Sequence, residues 1–192
     1  MRRRWLIPAA AIVALLQISF LTWMIVARAH VLRTGDEVML QVEPIDPRDL
    51  LRGDYVILGY NISQIPTSLF EERPQGEGRR ERRSVYVRLR EGDNGIWQPV
   101  AAKYDERPSQ TALPGDVDIR GEARGAWYES MTEVTIRYGI ERFYVPEGEG
   151  REIERGMGEG RFRVALAVAQ SGTAQIKALY DGETRLYEEP LY

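Results

Sequence analysis

Gly53 to Tyr60 reads GDYVILGY, and Pro44 to Arg52 immediately before it reads PIDPRDLLR. Asp46 next to Pro47 suits the start of a short helical turn, because an Asp side chain accepts an orphan backbone N–H and Pro has no N–H to satisfy. Arg48, Asp49, Leu50 and Leu51 fill that turn. Gly53 supplies the left-handed residue that ends it, and Asp54 turns the chain into an extended run. Tyr55, Ile57 and Gly59 share one side of the run, and Val56, Leu58 and Tyr60 share the other. Both sides are apolar or aromatic, which predicts an inner strand packed on two faces.

The same two-residue period recurs on both sides of this stretch. Glu37 to Glu43 alternates Val38, Leu40 and Val42 with polar residues, predicting a strand with one wet face. Val85 to Leu89 sets Val85, Val87 and Leu89 against Tyr86 and Arg88, and Ile96 to Tyr104 is again extended. Between them Asp93-Asn94-Gly95 is a hairpin turn, since these residues tolerate positive φ. Pro114-Gly115-Asp116 opens a strand over Val117 to Glu122. Glu133 to Val145 is the longest strand candidate, and its apolar parity changes after Ile140, which predicts a bulge or sharp bend near Gly139 to Glu141. Arg161 to Ala169 and Ala174 to Tyr180 form a last hairpin with small residues on its second face, open to close approach by another layer. Asp181-Gly182 begins one more turn. Ile62 to Phe70 fits a short helix or a packed loop equally, and Arg73 to Arg83, RPQGEGRRERR, predicts a charged surface loop. Many short strands joined by Gly-containing turns predict an all-β domain, a barrel or a sandwich, between which alternation does not choose.

Ahead of this domain, Trp5 to Ala27 carries no charge. At about 1.5 Å of rise per residue it is long enough to cross a hydrocarbon core of about 30 Å. Trp5 and Trp23 suit the two interfaces, and Arg2, Arg3 and Arg4 precede the run, so the N-terminus is expected in the cytoplasm. The expected organisation is a cytoplasmic N-terminus at 1–4, a single-pass transmembrane anchor at 5–27, a juxtamembrane linker at 28–36 and an extracytoplasmic β-domain at 37–192. Ala27-Arg28-Ala29 has the form of a signal-peptide cleavage site, but the apolar run exceeds the usual signal length of about 7–15 residues, which favours a retained anchor. The whole chain has a net charge of −3. Four of its 26 basic residues, Arg2, Arg3, Arg4 and Arg28, precede His30; the other 22 face 29 acidic ones, leaving −7 for the remainder. An acidic domain argues against nucleic acid as a partner.

The chain has no cysteine and one histidine, His30. That excludes disulfides, thiolate chemistry, a multi-histidine metal site and a Ser-His-Asp triad. A Gly-Asp before an apolar strand also occurs in membrane-bound Ser/Lys peptidases, but Ile45 stands where their nucleophile would be. The Asp93-Asn94-Gly95 triplet lacks the further oxygen ligands and distal Glu of a calcium loop. No phosphate-binding Gly loop is present, and no cofactor is expected. Carboxylates are the remaining reagents: Asp46, Asp49 and Asp54 crowd one stretch, while Glu141, Glu147, Glu149, Glu152 and Glu154 crowd another. Facing each other, such acids could hydrolyse a glycoside or hold a divalent cation. Capping, turn-making and pairing with Arg48, Arg52 and Arg142 is the simpler use.

Gly53, Asp54, Tyr55, Leu58 and Tyr60 resemble the G-D-Y-x-x-L-x-Y pattern of the GDYXXLXY family of bacterial membrane-anchored proteins. Tyr138 to Glu154, YGIERFYVPEGEGREIE, resembles a second block of that family, with Tyr138, Glu141, Phe143, Pro146 and Glu147 prominent in it. The resemblance implies a location and an architecture, and no reaction. With it, the chain reads as a non-enzymatic binding or accessory module outside the bacterial cytoplasmic membrane, held in the lipid bilayer by Trp5 to Ala27 beside a multi-spanning membrane protein. The alternative is a carboxylate-based envelope hydrolase or cation-dependent enzyme.

Overall fold

The computed structural model describes residues 6–43, 55–72, 80–126, 128, 130–144 and 162–190. One long helix, α1 (Leu6–Thr34), leads into a β-structure. α1 is apolar on every side as far as Ala27, with Ile12, Leu16, Phe20 and Trp23 all exposed, and it is long and apolar enough to cross a membrane. It does not end with the apolar run. The helix continues through 28–34 and there packs on the sheet that follows, burying Ala29 and Leu32.

The strands are β1 (Asp36–Glu43), β2 (Tyr55–Ile57), β3 (Gly59–Tyr60), β4 (Gln64–Pro66), β5 (Arg80–Glu91), β6 (Trp97–Tyr104), β7 (Val117–Ala126), β8 (Glu133–Arg137), β9 (Arg142–Tyr144), β10 (Phe162–Val168), β11 (Ala174–Asp181) and β12 (Thr184–Glu188). They form two five-stranded antiparallel sheets, ordered β12-β11-β10-β1-β3 and β4-β8-β7-β5-β6, with β2 and β9 paired separately. The fold is all-β behind one N-terminal helix, and among the described residues neither sheet closes on itself. One hydrophobic core lies between the sheets. Val38, Leu40 and Val42 meet Val164, Leu166 and Leu179 from one sheet, and Val85, Val87, Leu89, Ile119 and Ile136 from the other. These are the alternating apolar positions, so the two-residue period selects the buried face.

Turn chemistry fixes the hairpins. Gly95 takes φ +73 between β5 and β6, and Asn94 Oδ1 accepts the Ile96 N–H at 3.0 Å. β10 and β11 pair as expected. Their second face carries Ala165, Ala167 and Ala178, all buried outside the main core, and α1 is the layer that packs against these two strands.

Three expectations change. Arg80 to Arg83 are not loop: they open β5 and pair with Ala126 to Ala123 of β7. Arg83 is held there, bonding Asp105 just beyond β6 at 2.5 Å and lying over the Tyr104 ring at 4.7 Å. Glu133 to Val145 is not one strand; it breaks at Gly139 (φ +82), and β8 and β9 pair with different partners, which makes the parity change a sharp bend. The run 55–60 likewise divides at Leu58 into β2, which pairs with β9, and β3, which pairs with β1. Arg88, which alternation sets on the face opposite Val85, Val87 and Leu89, is also buried. The undecided segment 62–70 holds β4, a single 3-10 turn over Thr67–Leu69 and Phe70, which bridges to Ala102.

Candidate functional site

The two blocks singled out in the sequence come together. Tyr55, Val56 and Ile57 pair with Tyr144, Phe143 and Arg142, and the Leu58 N–H donates to the Glu141 carbonyl at 2.8 Å. Tyr60 and Tyr138 complete the junction. The Tyr60 hydroxyl donates to Ile140 O at 2.6 Å, and the Tyr138 hydroxyl donates to Ile62 O at 2.8 Å. Both tyrosines are buried, as are Leu58 and Phe143. Phe143 meets Tyr187 of β12 edge-on, centroids 5.0 Å apart, which ties β9 back to the first sheet.

The bend at Gly139 explains the position of Glu141. Its carboxylate accepts the N–H groups of Tyr138 at 2.5 Å and Gly139 at 3.0 Å, donors that the break between β8 and β9 would otherwise leave without acceptors. Burial first, and the nearby Glu141 charge second, push both the Tyr60 and the Tyr138 hydroxyl well above the usual phenol range. The phenols therefore stay protonated and act as fixed donors to backbone carbonyls. Both oxygens of Glu141 are taken by backbone donors. This arrangement closes the fold. Asp46, Arg48, Asp49, Gly53, Asp54, Pro146 and Glu147 lie outside the described residues, as do Glu149, Glu152 and Glu154. Tyr55 is on β2 beside Tyr144. Among the described residues no cluster of three or more acidic or histidine side chains could hold a metal ion.

A model of the GDYXXLXY protein family matches residues 17–179. The chain belongs to that family. Of the five residues that spell its pattern here, Leu58 and Tyr60 are buried at the junction and Tyr55 is in the β2–β9 pair beside it. No curated protein and no solved structure matches the chain.

A second polar centre was not visible in the sequence. Arg88, on β5, is the one buried charged residue among those described. Its Nε and Nη2 bond the two carboxylate oxygens of Asp118 on β7 at 2.8 and 3.0 Å, and its guanidinium also donates to the carbonyls of Gln110 and Pro108. Glu71 holds the same loop through the N–H groups of Ser109 and Gln110, at 2.6 and 3.1 Å. Strand alternation sets Arg88 on the face opposite Val85, Val87 and Leu89, and the loop folding over that face buries it. The long irregular segment containing Pro108 and Pro114 is the sole sequence hint that something there needs covering.

Proposed function

We propose that this chain is a single-pass membrane protein of the bacterial cell envelope, whose β-domain serves as a non-enzymatic binding or accessory module on the outer side of the cytoplasmic membrane. Residues 1–4 remain in the cytoplasm, 5–27 cross the bilayer, 28–36 lead out and 37–192 form the domain. The observation that carries this reading is α1: apolar all round, exposed through its apolar run, and continuous into the packed sheet. Such a helix needs lipid around it, because water would face a large apolar surface on every side. Its unbroken entry into the domain suits a module held close to the bilayer, within reach of a multi-spanning partner. The use of Tyr60, Tyr138 and Glu141 in closing the fold further supports a binding role over catalysis.

The test is fractionation at native expression level, followed by crosslinking and mass spectrometry. The protein is expected intact in the membrane fraction, crosslinked reproducibly to a multi-spanning protein. Recovery without that partner would overturn the accessory reading, and recovery of a soluble, shortened chain would overturn the anchor.

A further inference from the structure

The geometry points to β12, the edge strand of the first sheet, as a membrane-contact surface that seats the domain on the headgroup layer of the bilayer entered by α1. This rests on the reading of α1 as a membrane span. Ala27 ends the charge-free run and Arg28 is the first charge after it. A guanidinium there belongs in the headgroup layer, since moving it deeper costs free energy and the side chain reaches outward. Arg28 Nη2 bonds Glu189 Oε1 at 2.5 Å. Glu189 follows directly on β12: its N–H donates to Lys177 O of β11 at 2.8 Å, and its second carboxylate oxygen accepts the Tyr187 hydroxyl at 2.8 Å. The end of β12 is therefore one side chain away from the headgroup layer.

The path of α1 gives the same orientation. Gly35, just after the helix, sits where an added Cβ would meet Val168 N at 2.9 Å, so this end of α1 is at the end of β10. Arg28, toward the span, is at the β12 side. From its end at β10 the helix packs on β10 and β11, and the Arg28–Glu189 bond places its span-side end toward the β12 edge. On that strand the register shift at Leu179/Tyr180 leaves Leu186 without a cross-strand partner, and Leu186 is 47% exposed. A bulge of this kind turns a side chain away from the ladder and blunts edge-to-edge pairing. Arg185 pairs with Glu188 at 2.8 Å, so the edge carries both signs and suits a zwitterionic surface without requiring anionic lipid. Strand-edge backbone groups cannot enter hydrocarbon unpaired, which limits contact to the headgroup and upper acyl region.

The absence of cysteine in the full chain makes site-specific labelling direct. The full-length variants Leu186→Cys and Arg185→Cys, each carrying an environment-sensitive fluorophore, are reconstituted in phosphatidylcholine vesicles. Quenching is read with iodide in water, with lipids bearing a nitroxide near the headgroup and, for the position inside the span, with lipids bearing a nitroxide deep in the acyl chain. Leu16→Cys reports the span itself. Leu113→Cys, 53% exposed in the loop that precedes β7 of the opposite sheet, reports an equally exposed leucine away from α1. The expected result is several-fold weaker iodide quenching and several-fold stronger lipid quenching at 185 and 186 than at 113. If 185 and 186 behave like 113 while 16 is quenched by lipid, the seating is wrong and the anchor stands. If 16 is itself quenched by iodide, the anchor reading falls and this inference with it.

Discussion

Tyr60 and Tyr138 are bonded reciprocally: Tyr60 donates to the carbonyl two residues beyond Tyr138, and Tyr138 to the carbonyl two residues beyond Tyr60. Each phenol satisfies backbone in the other's segment, so the two sequence blocks are joined by side chains as well as by the β2–β9 ladder. Removing either hydroxyl leaves a buried acceptor without its donor.

Tyr60→Phe and Tyr138→Phe are each expected to destabilise the protein by about 1–3 kcal/mol, the cost of orphaning a buried carbonyl. The two effects should be non-additive, since both bonds hold one junction. Thermal unfolding of the full chain in detergent micelles checks this, with roughly 2–4 °C expected per kcal/mol. A change within 1 °C for both variants would remove the junction from the forces that hold the fold.

The same phenols set an alkaline limit. Their folded pKa values are raised, so above about pH 10 the unfolded chain gives up protons that the folded chain keeps. Their contribution is complete below pH 10, and stability falls above it by about 1.4 kcal/mol per pH unit for each phenol. Burial likewise pushes Tyr104 up to about 12, against the opposing effect of Arg83, so its share of the slope levels off there. Denaturant midpoints measured from pH 8 to 12 should be flat at first and then fall. Tyr60→Phe should make the fall shallower.

Arg88→Ala or Asp118→Ala leaves the other charge buried without its bidentate partner, a loss of about 3–5 kcal/mol. The double change Arg88→Met with Asp118→Leu should recover part of it. Recovery stays incomplete because the Gln110 and Pro108 carbonyls still lack a donor. Urea unfolding of the three variants against the parent protein measures each step.

Gly35→Ala tests how α1 is docked. The new methyl would stand 2.7 Å from Val31 O and 2.9 Å from Val168 N, both backbone atoms that cannot swing aside. The junction of α1 and β1 must then shift away from the end of β10, exposing Ala29 and Leu32. Faster limited proteolysis in the 28–36 segment is expected, and a rate equal to the parent's would mean that this contact does not hold the helix on the sheet.

Local pattern in the sequence determined the apolar helix, the hairpin of β5 and β6, the hairpin of β10 and β11, the start of β7 and the bend at Gly139. Each follows from residues close together in the chain: a charge-free run, a two-residue period, or a turn residue that tolerates positive φ. The small second face of the β10–β11 hairpin left room for another layer to approach closely, without saying which one. Tertiary structure alone decided that α1 supplies that layer, that Tyr60 and Tyr138 exchange bonds, that Glu141 caps the bend, and that Arg88 is buried. The reason is physical. Alternation fixes which side chains share a face, but pairing, burial and charge neutralisation depend on groups such as Tyr60 and Ile140 that meet only after the chain has folded.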